Sequence, residues 1–275
     1  MSRACMTTII VALTACEPAE SELQVRVYGE AFIEEGISAD VFADGWALRF
    51  DRFLVSLGEV KVSASASAGT IAGSEPLQVY DLTRPSTGAG QLVASAMVPV
   101  GAYREAAYQI APYVEYDLSY GDEFVESDAT AEDRELMKTG GFSVYVAGAA
   151  TKGAVTKTVA WGFATRTSYS ACEADVEVEG PDPDSVEITV HGDHLFYDDL
   201  FAEEPNVAFD LVAGADVDGD GAVTRAELEA VDLRPLANYQ VGSTGIVDLW
   251  RFIEHQTTTL GHINGEGHCQ STREE

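Results

Sequence analysis

The chain has 275 residues, of which 46 are acidic and 16 basic, giving a formal charge of −30. Nucleic-acid binding needs a basic footprint that displaces counterions from phosphate, and this composition offers none. The same charge is repelled by anionic membrane surfaces, which makes a covalent lipid the sensible means of attachment to a bilayer.

The N-terminus begins with Arg3 and an apolar run from Thr7 to Ala15. A basic start, a short apolar core and small residues before a cut site make a secretory signal. The run is shorter than the ~20 apolar residues that a membrane span requires, and no other stretch approaches that length. Leu13-Thr14-Ala15-Cys16 resembles a bacterial lipobox, which implies cleavage before Cys16 and lipidation there. Residues 1–15 are thus expected as a signal peptide and 16–22 as a lipidated tether. Glu17 stands where an Asp would follow the cysteine. In a Gram-negative host, lipoproteins that resemble this go to the outer membrane by default. Of four cysteines, Cys5 leaves with the signal and Cys16 takes the lipid, so Cys172 and Cys269 remain. An even pair in an oxidising compartment suggests one disulfide, with metal binding by one or both thiols as the alternative.

Residues 23–192 read as an antiparallel β-sandwich. Leu23 to Phe32 alternates apolar and polar residues, the period of a strand. Trp46 to Leu57 does the same, and Val60 to Ser63 continues it. Ser63 to Gly73 is Ala/Ser/Gly-rich and reads as a loop. Further strands are expected over Leu77–Leu82, Gln91–Val98, Tyr103–Ala111, Phe142–Ala147, Thr156–Thr165, Val176–Glu179 and Val186–His191. One helix interrupts the series, opened by Thr130-Ala-Glu-Asp133 and stopped by Gly140-Gly141.

Residues 193–275 change character and read as an α-helical EF-hand subdomain. Helices are expected over Leu195–Phe201, Asn206–Ala213, Glu227–Val231 and Ile246–His255. Between two of them, Asp216 to Glu227 reads D-V-D-G-D-G-A-V-T-R-A-E, a complete calcium loop. Ca²⁺ is a hard cation that takes six to eight oxygens from set positions on a tight turn. Asp216, Asp218 and Asp220 supply carboxylates, Ala222 its carbonyl, Thr224 an oxygen directly or through water, and Glu227 a bidentate carboxylate. Gly221 permits the sharp turn, and Val223 points to the loop's own core. Affinity on the order of 10⁻⁴ to 10⁻³ M is expected, as in extracellular modules. Gln240 to Arg251 fits the same template without end carboxylates, and as a vestigial partner it would pair Val247 with Val223.

Four of the five histidines fall in two short tracts. His191 and His194 form H-G-D-H at the end of a predicted strand, and His262 and His268 lie beside Cys269. Imidazoles in close pairs suit copper or zinc. Asp193 and Glu266 are candidates as extra ligands or outer partners. His255 reads as a solvent-facing helix residue, and Trp46, Trp161 and Trp250 as core.

Phe50-Asp-Arg-Phe-Leu-Val-Ser-Leu-Gly-Glu-Val, then Val98-Pro-Val-Gly-Ala-Tyr, then Val159-Ala-Trp-Gly-Phe, resemble the periplasmic MbnP-like proteins. The resemblance covers residues 22 to 200 and leaves the tail outside. It implies a β-rich fold and an association with copper, without specifying ligands.

The chain contains no G-x-S-x-G elbow, H-E-x-x-H, phosphate-binding loop or C-x-x-C pair. The expectation is therefore a lipid-anchored, exported calcium-binding protein with an unidentified protein partner, and not an enzyme. The alternative is a periplasmic copper or zinc protein that uses the histidines.

Overall fold

In the computed structural model, Leu23, Val25 and Val27 of strand β1 (Glu20–Gly29) point inward while their neighbours are half-exposed. The structure describes residues 19–64, 76–87, 90–114, 127–265 and 267–274. The expected signal, Cys16, Glu266 and most of the Ser63–Gly73 loop lie outside the described residues. The strands that follow are β2 (Ala47–Ser63), β3 (Gln78–Asp81), β4 (Gln91–Pro99), β5 (Gly101–Ile110), β6 (Val144–Lys152), β7 (Val155–Phe163), β8 (Arg166–Val178) and β9 (Asp184–Val190). The tail adds β10 (Ala222–Val223), β11 (Gly261–Ile263) and β12 (Gln270–Glu274). Two short helices accompany the body, α1 (Ala31–Glu34) and α2 (Ala131–Gly140). The second begins with the expected capping box of Thr130 and Asp133 and ends at Gly141, whose φ is +63°.

The strands form two sheets. One has the order β11-β9-β1-β4, and the other runs β10-β7-β6-β2-β5-β8-β12 with β3 added to β2. The expectation of a purely antiparallel sandwich needs correction, because β1 runs parallel to β9 and β10 parallel to β7. Alternation along a strand fixes which face is buried and says nothing about the direction of its neighbour.

The tail also departs from expectation. It does not stand apart as a helical unit, because β10, β11 and β12 extend β7, β9 and β8. Its helices are short: α3 (Asp210–Gly214), α4 (Arg225–Glu229) and α5 (Leu249–Gln256). Leu195–Phe201, expected as a helix, gives only a 3₁₀ turn over Asp193–Phe196. Apolar residues in this tail fill the same core as the strands. A single buried cluster joins Leu23 of β1, Phe53 of β2, and Trp250, Phe252 and Ile253 of α5. Trp250 stacks on Phe163 of β7 with ring centroids 4.8 Å apart. Fully burying such side chains stabilises the fold by about 1.5–3 kcal/mol each. All three tryptophans are buried, as expected, but His255 is half-buried, not solvent-facing.

Cys172 and Cys269 form the expected disulfide, which ties the end of the chain to β8 across 97 residues. A loop of that size gives about 4–5 kcal/mol in the chain-entropy account. Among the described residues, no helix is long and apolar enough to cross a membrane.

Candidate metal centre

The pairing of β11 with β9 builds the site. Gly261, His262 and Ile263 lie opposite Val190, Thr189 and Ile188, and the His191 amide donates to the Leu260 carbonyl at 2.9 Å. This brings residue 262 beside residue 191. Beyond β11, Asn264 and Gly265 make a tight turn that closes with the Gly267 amide on the Ile263 carbonyl at 2.8 Å. The turn is held to β9 by the Thr189 hydroxyl, which donates to the Gly265 carbonyl at 2.7 Å. The 3₁₀ turn after β9 then carries His194 back over the same spot.

Three imidazoles converge there. Ring centroids are 4.2 Å apart for His191 and His262, 5.1 Å for His191 and His194, and 5.4 Å for His194 and His262. One nitrogen from each lies within 4.8 Å of the others. Around a tetrahedral zinc with Zn–N of ~2.0–2.1 Å, ligand nitrogens stand roughly 3.3 Å apart, so the three rings have to draw closer to share one ion. The fourth expected ligand, His268, is exposed and outside this group.

Hydrogen bonds orient two of the rings. Nδ1 of His191 lies 3.1 Å from Oε2 of Glu30. A carboxylate accepts, so that nitrogen carries the proton. Nε2 of the same ring lies 3.4 Å from the Gly265 carbonyl, which can only accept, so this nitrogen has to turn away from that oxygen to present its lone pair to a metal. Nδ1 of His194 is 3.1 Å from the Thr259 hydroxyl oxygen, whose own proton goes to the Gln256 carbonyl at 2.9 Å. Thr259 therefore accepts from Nδ1–H and leaves the lone pair of His194 on Nε2. Metal-ligating histidines are commonly held this way by outer partners.

Electrostatics favour a neutral donor. Burial lowers the His194 pKa to about 3, and the neighbouring His191 and His262 push the same way. At neutral pH its lone pair is available to a metal. Asp193 is buried, with Oδ2 accepting from the Tyr197 hydroxyl at 3.0 Å and Oδ1 without a hydrogen-bond partner. Burial raises its pKa. It stands beside the imidazoles but not among them.

Beneath β11, Tyr108 and Tyr169 stack with centroids 4.6 Å apart. Tyr108 donates to the His262 carbonyl at 3.2 Å, and Tyr169 to the Thr258 carbonyl at 3.2 Å. Burial holds both phenols above their usual range, which keeps them neutral donors. Gly261 has to be glycine here, since a Cβ would come within 2.4 Å of the Tyr108 hydroxyl.

The acidic loop is a second, separate cluster. Carboxylate oxygens of Asp216, Asp218 and Asp220 lie within 4.8 Å of one another. Gly221 takes a φ of +91°, which an L side chain would resist. The Asp216 carboxylate accepts from the amides of Gly219 and Gly221 at 2.8 and 3.0 Å and pairs with the Lys157 ammonium. The lysine contact, more than the amides, lowers its pKa. Glu227 is outside the group of three. Its carboxylate accepts from the amide and hydroxyl of Thr224 at 2.9 and 2.8 Å, capping α4, and from the Val217 amide at 3.2 Å. Ala222 and Val223 form β10. Val223 pairs with Val159 of β7 and not with Val247, so the expected bridge to a vestigial partner loop does not form. The exposed edge of β7 supplies the backbone partner instead.

Sequence reading missed Glu30, Thr259 and Lys157. Glu30 and Lys157 are remote in sequence from the clusters they serve, and Thr259, though close to His262, serves His194 from 65 residues away; no local pattern marks any of them. Among solved structures, the chain is similar to MbnP from Methylosinus trichosporium, at 15% identity and a TM-score of 0.35, over 82% of this chain and 94% of that one. No family model matches the chain, and no curated protein does.

Proposed function

We propose that this chain is an exported metal-binding protein, not an enzyme, whose principal centre is His191, His194 and His262. The observation that carries this reading is the convergence of three imidazoles from two distant segments, one oriented by Glu30 and one by Thr259. Imidazole nitrogen suits copper and zinc, and three such ligands leave a fourth position open. Metal analysis of protein grown with copper and zinc is the test. One ion per chain is expected, and it disappears in His191→Ala. A wild-type protein that retains neither metal defeats the proposal.

A second reading concerns calcium. The clustering of Asp216, Asp218 and Asp220 around the Gly221 turn favours it. Here Ala222 and Thr224 would add oxygens, and Glu227 would turn from its capping role to close the site. Calorimetric titration should give one calcium per chain, lost in Asp216→Ala with Glu227→Gln. The two readings are compatible, because hard oxygen and softer nitrogen select different ions. The route to the cell surface is also a proposal. Cys16 would carry a lipid, and an alkyne fatty acid fed to the host should label it; an unlabelled, soluble protein would defeat that part.

A further inference from the structure

The three imidazoles are not equally deep. His191 is 4% exposed, while His194 and His262 are half-buried. The latter two form part of the wall of a cleft of about 250 Å³, together with Tyr169, Gly261, His268 and Cys269. That volume holds a hydrated ion and a few waters, each of ~30 Å³, and excludes drug-sized molecules. His268 is the exposed histidine of this cleft, and it stands at the solvent side.

Its backbone is fixed at two points. The His268 carbonyl accepts from the Glu173 amide at 3.2 Å, and the next residue is the disulfide partner of the fully buried Cys172. The main chain therefore cannot carry His268 inward. Only its ring can swing, on two side-chain torsions, between solvent and the cleft. A hydrated divalent ion fits this cleft, but to reach the three imidazoles it must exchange its waters for protein ligands one at a time. A single imidazole at the mouth supplies the first exchange. The surplus of acidic residues raises the local concentration of cations outside it.

We infer that this cleft is the port by which the ion enters and leaves, and that His268 is a transient ligand at its mouth, absent from the final three-imidazole site. The inference rests on the reading of His191, His194 and His262 as a transition-metal site. A residue used only in passage changes the barrier in both directions and leaves the equilibrium alone.

The experiment uses the whole exported protein and zinc ion alone. Stopped-flow transfer to and from a coloured chelator gives uptake and release rates, and competition with the same chelator gives affinity. His268→Ala should keep one zinc per chain with affinity within about twofold, and slow both rates about tenfold, a barrier change of roughly 1.4 kcal/mol. Free imidazole added to the variant should restore the rates. Unchanged rates would place His268 off the route and overturn the inference. Weaker affinity with faster release would make it a resident ligand and overturn it equally. His191→Ala separates the two levels: if that variant binds zinc as tightly as wild type, the three-imidazole reading itself fails, whatever His268 does.

Discussion

The two clusters are built in opposite ways. The imidazoles come from positions 191, 194 and 262, and strand pairing with a shared core brings them together. The carboxylates come from a loop of twelve consecutive residues, and the loop's own amides hold them. The first cluster has one buried and two half-buried members, the second one half-buried and two exposed. A site preorganised by the fold can hold a weakly hydrated donor set ready for an ion. A site preorganised by a turn holds charges that repel one another until a cation arrives, and Lys157 partly takes that place. The contrast teaches that nearness along the chain and nearness in the fold are separate routes to a ligand set.

His191→Ala should have the largest effect. It removes a buried ligand, so copper or zinc affinity should fall by more than the ~10–100-fold typical of losing an outer partner. Calcium binding should be unchanged by calorimetry, and a parallel loss of calcium would show that the clusters are not separate. Glu30→Gln should come next. The ring loses its charged acceptor but keeps its place, so zinc affinity should drop ~10–100-fold in chelator competition. An unaltered affinity would mean that Glu30 does not orient His191.

Trp161→Phe tests how firmly the acidic loop is fixed to the sheet. The Trp161 indole donates to the Val223 carbonyl at 2.8 Å in a buried setting. Its loss should destabilise the protein by about 1–3 kcal/mol, read by urea unfolding, because the carbonyl is left unsatisfied. Lys157→Met should have the smallest effect and the opposite sign. Removing the ammonium from Asp216 should tighten calcium by about threefold to tenfold, since the ion no longer has to displace a pair whose lysine and aspartate side chains are 16% and 0% exposed. Weaker calcium binding in that variant would show that Lys157 supports the loop instead of competing with the ion.

Much of the β-domain was legible, because alternation such as Leu23, Val25, Val27 reports a face directly. Sheet partners were not, and β1 beside β9 is the clearest case. In the acidic loop the nearness of Asp216, Asp218 and Asp220 could be read from the sequence, since the three share one turn, whereas Glu227 caps α4 outside that group. The tail was misread because Leu249, Trp250 and Phe252 make a helix pattern that is real, while Val223 and His262 join strands through pairings made far along the chain. Of the clustered imidazoles, the H-G-D-H spacing pointed to His191 and His194. The pairing of Gly261 to Ile263 with β9 is what selects His262 over His268.

The parallel pairing of β1 with β9 also sets an order in time. Leu23 faces Asp184, a separation of 161 residues from their numbers. Contacts so distant form late, after the loop-closure entropy of the intervening chain has been overcome. Strand β1 must therefore wait for a partner made much later in the chain. The pocket of imidazoles is complete only when Gly261 to Ile263 has docked on β9, later still. A chain threaded through a membrane unfolded would carry no half-built site with it. Under the proposed metal reading, capture of an ion would then mark a molecule that has finished folding.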